Sequence, residues 1–498
     1  MSTVARGKKT SSILSKLKKI QAGGPVRTLD LFSGCGGLSL GFHSCGFKIA
    51  ASVEFDPIAV RSHARNFFGD ENGIHGKPID ITETTPTDIV ERFGLGKNIA
   101  SAIDVIIGGP PCQAFARVGR AKLREVDEHP RAFKNDARGN LYLRYLNFVQ
   151  ELQPLALLIE NVPDMINYGG HNIAEEVSEV LSGIGYVAKY TLLNSAFFGV
   201  PQMRERMFLV AYRKELEAEV VFPRPKYHVE LPIGYKGSRD VALKALRGDV
   251  KRGLFDFDDN HYSPPIEANE SLPSAITSKQ AIEDLPPITH HLAGTHKKMA
   301  QKLDILMPYQ KGTKLNSYAK LMRTWTGFEN DEGIREHVIR FLPRDYQIFR
   351  VMKPGDQYPQ AFNHANRLFA DKIAQLESEG RKIKKGSAEY EEIKKSIVPP
   401  YDATKFPNKW RKMEPDLPAR TLMAHIGKDT YSHIHYESDQ ARTISVREAA
   451  RLQSLPDGFL FCGSMNSAFR QIGNAVPPLM AKAIAEEMIK VLRGESNG

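Results

Sequence analysis

From residue 26 to about 212 the chain alternates short apolar runs with segments of helical periodicity. Runs at 27–32, 48–54, 103–107, 155–159, 187–194 and 206–212 read as strands, and helical patterns such as Leu141–Leu152 and 173–181 lie between them. Parallel strands need crossover connections, and helices supply them. The alternation therefore predicts an α/β fold: a mostly parallel sheet with helices on both faces. Open sheets of this kind place ligands beyond the carboxyl ends of their strands. The residues that end each strand are thus the ones to read for chemistry.

The third run leads into Gly108-Gly109-Pro110-Pro111-Cys112-Gln113. Two prolines fix φ and bias the preceding residues toward extended backbone, so the thiol is carried on a stiff segment. The fourth run ends in Glu160-Asn161-Val162-Pro163. A thiolate and a carboxylate at one sheet edge make a nucleophile and a proton partner. The plain alternative for Cys112 is a buried, inert cysteine.

The first run continues as Leu31-Phe32-Ser33-Gly34-Cys35-Gly36-Gly37-Leu38, a strand, a glycine-rich turn and a helix start. Glycines let a backbone approach a ligand closely. Folds that bind NAD, FAD and S-adenosylmethionine share this signal, and the turn departs from the Gly-x-Gly-x-x-Gly pattern of pyrophosphate sites. Glu54 ends the second run, where a carboxylate can accept from ribose hydroxyls. Asp80 and Ile81 follow at a third turn: an acceptor for an adenine amino group, with Ile81 and Phe32 as apolar faces for the ring.

The length of 498 residues allows two or more domains. The formal charge of +10 favours a polyanionic partner. Four cysteines without a Cys-x-x-Cys pair make neither a disulfide framework nor a zinc site and fit a reducing cytoplasm. No apolar stretch approaches 18 residues, which argues against a membrane span. Residues 1–25, with six Lys or Arg and no acid, read as a basic disordered tail able to lie on DNA backbone. After Arg213 the texture turns proline-rich and charged, and 364–397 reads as a charged helical pair. Ser445 and Glu448 form a capping-box pattern that opens a helix over 444–455. A last amphipathic helix spans about 478–492. His425, His433 and His435 lie close together, but without cysteines or acids at ligand spacing they read as polar or backbone contacts rather than a metal site.

Taken in order, these segments resemble the DNA (cytosine-5) methyltransferase family. Phe32 to Gly37 looks like its first motif, Glu54 and Asp80-Ile81 like the second and third. Pro111-Cys112-Gln113 is similar to the catalytic motif, Arg138-Gly139-Asn140-Leu141 to the one after it, and Glu160-Asn161-Val162 to the carboxylate motif. Gln202-Met203-Arg204-Glu205-Arg206 resembles the Gln-x-Arg-x-Arg motif. Arg447 to Gln453 resembles the late arginine-rich helix, and Gln471-Ile472-Gly473-Asn474-Ala475-Val476 the closing motif. The stretch between Cys112 and Arg138 is longer than the family pattern.

The resemblance implies a Rossmann-like, S-adenosylmethionine-dependent methyltransferase sheet over 26–222. It also implies a smaller DNA-recognition domain over 223–440, and late motifs with a returning helix over 441–498. Cys112 would add to carbon 6 of a flipped cytosine, Glu160 would serve N3, and Arg204 or Arg206 would hold the base's carbonyl oxygen. The cofactor S-adenosyl-L-methionine would lie against Phe32, Gly34, Gly36, Gly37, Glu54, Asp80, Ile81, Pro111, Leu141, Asn474 and Ala475, with no metal. The basic loop carrying Arg117, Arg120, Lys122 and Arg124 reads as a lid on DNA. Lys314, Lys320, Arg323, Arg335, Arg340 and Arg344 are candidate DNA contacts. The implied partners are double-stranded DNA and a separately acting restriction endonuclease, with the enzyme a monomer. A cytosine-5 RNA methyltransferase on the same fold is one alternative; the roughly 200 residues between the arginine motif and the late motifs weigh against it. A non-catalytic DNA-binding homologue is the other, and it should lack Cys112 or Glu160.

Overall fold

A computed structural model describes residues 3–111, 141–168, 171–244, 261–294, 302–310, 312, 314–406, 409–427 and 431–495, with backbone only for 3–11, 236–238 and 244. Cys112, the basic loop after it and Arg138-Gly139-Asn140 lie outside the described residues. The chain divides into two compact units: residues 1–275 with 475–498, and residues 276–474.

The first unit is built on a six-stranded sheet. Its strands are β1 (Val26–Leu31), β2 (Phe47–Val53), β3 (Val105–Gly108), β4 (Ala156–Asn161), β5 (Tyr186–Asn194) and β6 (Glu205–Arg213), in the order β2-β1-β3-β4-β6-β5. β1, β2, β3 and β4 pair in parallel, whereas β6 runs antiparallel to both β4 and β5. The alternation predicts this mostly parallel α/β sheet, and its form is the Rossmann-like one that the resemblance implies. Side chains alternate across it. Leu29, Leu31, Ile106, Leu157, Ile159, Met207 and Leu209 pack on one face with helices Pro86–Arg92, Leu141–Leu152 and Ile173–Gly183. Val105, Ile107, Leu158, Phe208 and Val210 pack on the other with helices Gly37–His43 and Pro478–Arg493.

Two boundaries differ from the sequence reading. Residues 223–275 belong to the first unit, because Leu231 and Ala275 pack on Ala196 and Met203, and Tyr262 bridges to Tyr190 on the edge strand β5. Residues 441–474 belong to the second unit, where helix Val446–Leu452 is buried on all sides.

The N-terminal segment is also not a disordered tail. Thr3–Gln21 is a helix that packs against Pro478–Arg493, with Ile13 and Ile20 in the core. Lys16 is buried, and its Nζ donates to the carbonyls of Ile103 at 2.6 Å, Leu152 at 2.9 Å and Gln153 at 2.9 Å. A cation at the C-terminus of helix Leu141–Leu152 meets unsatisfied carbonyls and the negative end of the dipole. The reading as a solvated tail counted this lysine as surface charge.

The second unit is mainly helical. Its core gathers Tyr346, Phe349, Tyr358, Phe369 and Tyr431 around the buried Trp410. A set of buried ion pairs adjoins helix Val446–Leu452: Arg442 with Glu448 at 2.7 Å, Arg447 with Glu336 at 2.6 Å, and Arg451 with both Asp457 at 2.6 Å and Asp284 at 3.0 Å.

Candidate active site

β3 and β4 run side by side with Gly108 opposite Ile159. The next residue on each strand therefore reaches the same carboxyl edge: Gly109 on one, Glu160 on the other. Gly108 can only be glycine there, since a Cβ would lie 2.4 Å from the Leu31 carbonyl. At Gly109 a Cβ would lie 2.9 Å from Glu160 Oε2. Glu160 thus sits directly against the segment that leads to Cys112. Asn161 ties that segment down, its Nδ2 donating to the Pro110 carbonyl at 2.7 Å while its Oδ1 accepts from Val162 N–H at 2.9 Å. Pro111 follows and is exposed.

Glu160 Oε1 meets Arg206 Nε at 3.1 Å, the guanidinium coming from β6. Arg206 also donates to the Glu205 carbonyl at 2.7 Å. Arg204 is buried nearby, and its charge, like that of Arg206, pulls the Glu160 carboxyl down. Burial prevails over both and holds the Glu160 pKa above the ordinary carboxylate range. A carboxyl raised in this way can hold a proton for a base nitrogen, which an exposed glutamate cannot do near neutral pH.

The three turns expected to hold a cofactor come together through backbone bonds. Phe32 N–H donates to the Val53 carbonyl at 2.8 Å, and Ile79 N–H to the Glu54 carbonyl at 2.8 Å. Glu54 is held by Gly34 N–H at 2.8 Å on one oxygen and Asp56 N–H at 2.7 Å on the other. Gly34 has φ +54°, and open space lies where its side chain would be. Phe32 shares the left-handed backbone, with φ +61°. Ile81 is buried, and Asp80 accepts from Thr82 through Oδ1.

Gly36 and Gly37 serve packing. A Cβ at Gly36 would lie 2.4 Å from Phe67, and one at Gly37 would lie 2.2 Å from the Val476 carbonyl and 3.2 Å from Ala475 Cβ. Ala475 is therefore at the start of helix Gly37–His43. Leu141 opens its helix half-buried against the sheet. Asn474 ends helix Met465–Asn474 in the second unit.

Phe55 escaped the sequence reading. It directly follows Glu54 and is 71% exposed, an unusual state for a phenyl ring. An aromatic one residue past a strand-ending acid was the available signal. Beneath the glycine turn, Asp30 Oδ2 accepts from Ser39 Oγ at 2.6 Å, and Ser39 Oγ meets His63 Nε2 at 2.9 Å. Burial pushes Asp30 up to about 7.

Several expected DNA contacts are otherwise engaged. Arg323 pairs with Asp284 at 2.5 Å and lies 3.5 Å above the Tyr309 ring. Arg344 pairs with Asp345 at 2.6 Å, and Arg340 lies over Tyr431. Arg335 donates to the Asp304 carbonyl, while Lys314 and Lys320 are exposed. His433 and His435 are buried; His433 contacts the Arg420 carbonyl at 3.0 Å, and His435 accepts from Glu437 N–H at 3.1 Å. No cluster of possible metal ligands occurs among the described residues.

A Rossmann-like sheet that sets a raised carboxyl against Gly109, with a glycine turn whose Gly34 N–H helps hold the Glu54 carboxylate, is of the methyltransferase type. Residues 26–490 match the family of C-5 cytosine-specific DNA methylases, and the chain belongs to that family. Its reaction class is methyl transfer to carbon 5 of cytosine in DNA. It is 39% identical over 474 residues to M.OihORF3336P of Oceanobacillus iheyensis, covering 94% of this chain and 96% of that one. It is 34% identical over 469 residues to the type II methyltransferase M.NgoPII of Neisseria gonorrhoeae, covering 94% and 96%. A crystal structure from E. coli, described as a prophage-encoded DNA modification methyltransferase, superposes with a TM-score of 0.57 at 22% identity. It covers 94% of this chain and 99% of that one and shares the fold.

Proposed function

We propose that this protein methylates carbon 5 of a flipped-out cytosine in a specific double-stranded DNA sequence, with Cys112 as covalent nucleophile and S-adenosyl-L-methionine as methyl donor. The observation that carries the reading is the raised Glu160 carboxyl lodged against Gly109, three residues before Cys112. The Cys112 thiolate adds to carbon 6 of the ring, and charge moves toward N3. Glu160 gives or shares a proton there, and Arg206, already on its other oxygen, orients it. Arg204 or Arg206 accepts the charge that develops on the base's carbonyl oxygen. Carbon 5 would then take the methyl group from the sulfonium, with the neutral thioether as leaving group; loss of the carbon 5 proton to a base expels the Cys112 thiolate, and the proton lent to N3 returns to Glu160.

The open face of Gly34, the Glu54 carboxylate fixed by two backbone N–H groups, and the apolar Phe55, Phe32 and Ile81 fit an adenosine with ribose hydroxyls and a flat ring. Asp80 Oδ2 has no partner among the described residues and suits an adenine amino group. When bound, S-adenosylmethionine supplies an electrophilic methyl on a sulfonium. Relatives named as type II methyltransferases support pairing with a restriction endonuclease that acts separately.

The test is trapping on duplex DNA with 5-fluorocytosine at the target, in the presence of cofactor. A stable adduct should form with the natural chain and not with Cys112→Ser. Methyl transfer to tRNA but not to duplex DNA would overturn the DNA reading, and absence of any adduct would remove Cys112 as nucleophile.

A further inference from the structure

Helices Tyr358–Ser378 and Ala388–Ile397 form a hairpin that neither the cofactor turns nor the chemistry explains. Its base is core: Tyr358, Ala361, Ala365 and Phe369 are buried, and Tyr358 lies 5.5 Å from Trp410. Past Phe369 the first helix buries only Leu376. The stretch from Phe369 to Ser378 is about 14 Å long at 1.5 Å per residue. The two helices hold together there through Phe369 against Tyr390 at 5.1 Å and through Ile383. Ile373 still packs on that core, so the arm extends past it by little more than the last turn of the helix and the connecting turn.

The segment that joins the helices, Glu379-Gly380-Arg381-Lys382-Ile383-Lys384-Lys385-Gly386-Ser387, holds four cations and one acid. Arg381 is paired with Glu389. Lys382, Lys384 and Lys385 are exposed, and their ammonium groups have no partner among the described residues. Burial of Ile383 between Lys382 and Lys384 holds the turn with its charges outward. Complementing a helix dipole does not account for them. That effect acts within the last turn, and the last turn of Tyr358–Ser378 holds no basic residue. Lys382, Lys384 and Lys385 outnumber Glu379, the one acid of the joining segment, and leave the end of the arm with a net positive charge.

We propose that this tip is a phosphate-contacting arm that grips the backbone of the duplex without reading bases. The inference rests on the DNA reading above. Lysine is a flexible point charge, suited to phosphate oxygens rather than to the bidentate recognition of base edges. Phosphate contacts fix position and register and carry no sequence information.

The experiment compares the natural protein with the triple variant Lys382→Gln, Lys384→Gln, Lys385→Gln, which leaves Arg381 and Ile383 in place. Duplex affinity is measured from 50 to 200 mM salt, with phosphate-ethylation interference and bisulfite mapping of methylated sites. Each lost contact should lower the log–log salt slope by about 0.9. Loss of all three would make the affinity drop across that range about 40-fold smaller. Interference should vanish at phosphates outside the methylated sequence, and that sequence should stay the same. An unchanged slope and interference pattern would overturn the proposal, as would a change in the methylated sequence, which would mean base readout. A natural protein that binds and methylates no duplex at all would overturn the DNA reading itself, an outcome visible before the variant is made.

Discussion

Among the largely buried carboxylates whose acidity is shifted, those of the first unit are raised and those of the second lowered. In the first unit Asp30, Glu54, Glu160 and Glu205 are all raised, with burial as the leading cause. Their partners are hydroxyls, backbone N–H groups, or a guanidinium that engages one oxygen. In the second unit Glu448 and Asp457 are more deeply buried than Glu54, Glu160 or Glu205, yet held below the usual range, because Arg442 and Arg451 each clamp both oxygens of one of them. Glu160 has two arginines near it but only one oxygen engaged, so the geometry of the pairing, not the depth of burial, sets the direction. A carboxylate clamped by a guanidinium is chemically quiet and structural. A carboxylate that burial has left short of compensation is poised to take a proton or a ligand, which is what a site requires.

The strongest way to break this comparison is to neutralise one member of each set. Glu160→Gln should lower turnover by about 10²–10⁴-fold with little loss of fold, measured as single-turnover methyl transfer beside thermal unfolding. A loss under about tenfold would remove Glu160 from the proton step.

Glu448→Gln should do the reverse. It leaves Arg442 buried with half a partner and should cost about 3–5 kcal/mol of stability, read by urea unfolding, while the remaining folded enzyme keeps its rate per molecule.

Acidity sharpens the contrast. Asp30 binds its proton more tightly in the folded chain, so its contribution to stability falls as pH rises from about 4 toward 7. Glu448 and Asp457 bind theirs less tightly when folded, so their contribution falls as pH drops below the ordinary carboxylate range. Asp30→Asn should therefore flatten the loss of stability across that same interval by a few kcal/mol, since each tenfold change in proton affinity is worth about 1.4 kcal/mol. A slope unaltered by the substitution in urea unfolding at stepped pH would mean that Asp30 ionises in place.

The smallest effect concerns a buried cation of the first unit. Lys16→Met should cost about 1–3 kcal/mol, because three carbonyls lose their donor. No change in the unfolding midpoint would show that water replaces the ammonium.

The strands were legible because buried parallel strands are short, uniform apolar runs, and Glu54 and Glu160 were legible because each lies at the end of such a run, while Asp80 was legible at the turn that follows. Direction was not: the run at β6 looks like its neighbours, yet it lies antiparallel between β4 and β5. The helix Thr3–Gln21 was half legible: residues 11–20 carry the spacing of a short basic amphipathic helix, but its inward face includes a lysine, which composition counts as surface, and so the segment reads as a tail. Gly36 and Gly37 read as ligand glycines, although their missing side chains make room for Phe67 and the Val476 backbone. The arginines of 447–452 carry a recognisable pattern, but their partners Glu336 and Asp284 lie more than a hundred residues away in sequence, beyond any local signal.

The contact of Gly37 with Val476, and of Gly41 with Ala481, bears on how the protein is made. Helix Gly37–His43 is made more than four hundred residues before the helix that covers it. That stretch takes some tens of seconds at cellular elongation rates of about 5–20 residues per second. Through that interval the first sheet face stands uncovered and sticky. The second unit can be complete before the first is able to close. Such long-range closure slows folding and exposes the nascent chain to chaperones. A stop codon directly after Asn474 would therefore disable the first unit while sparing the second.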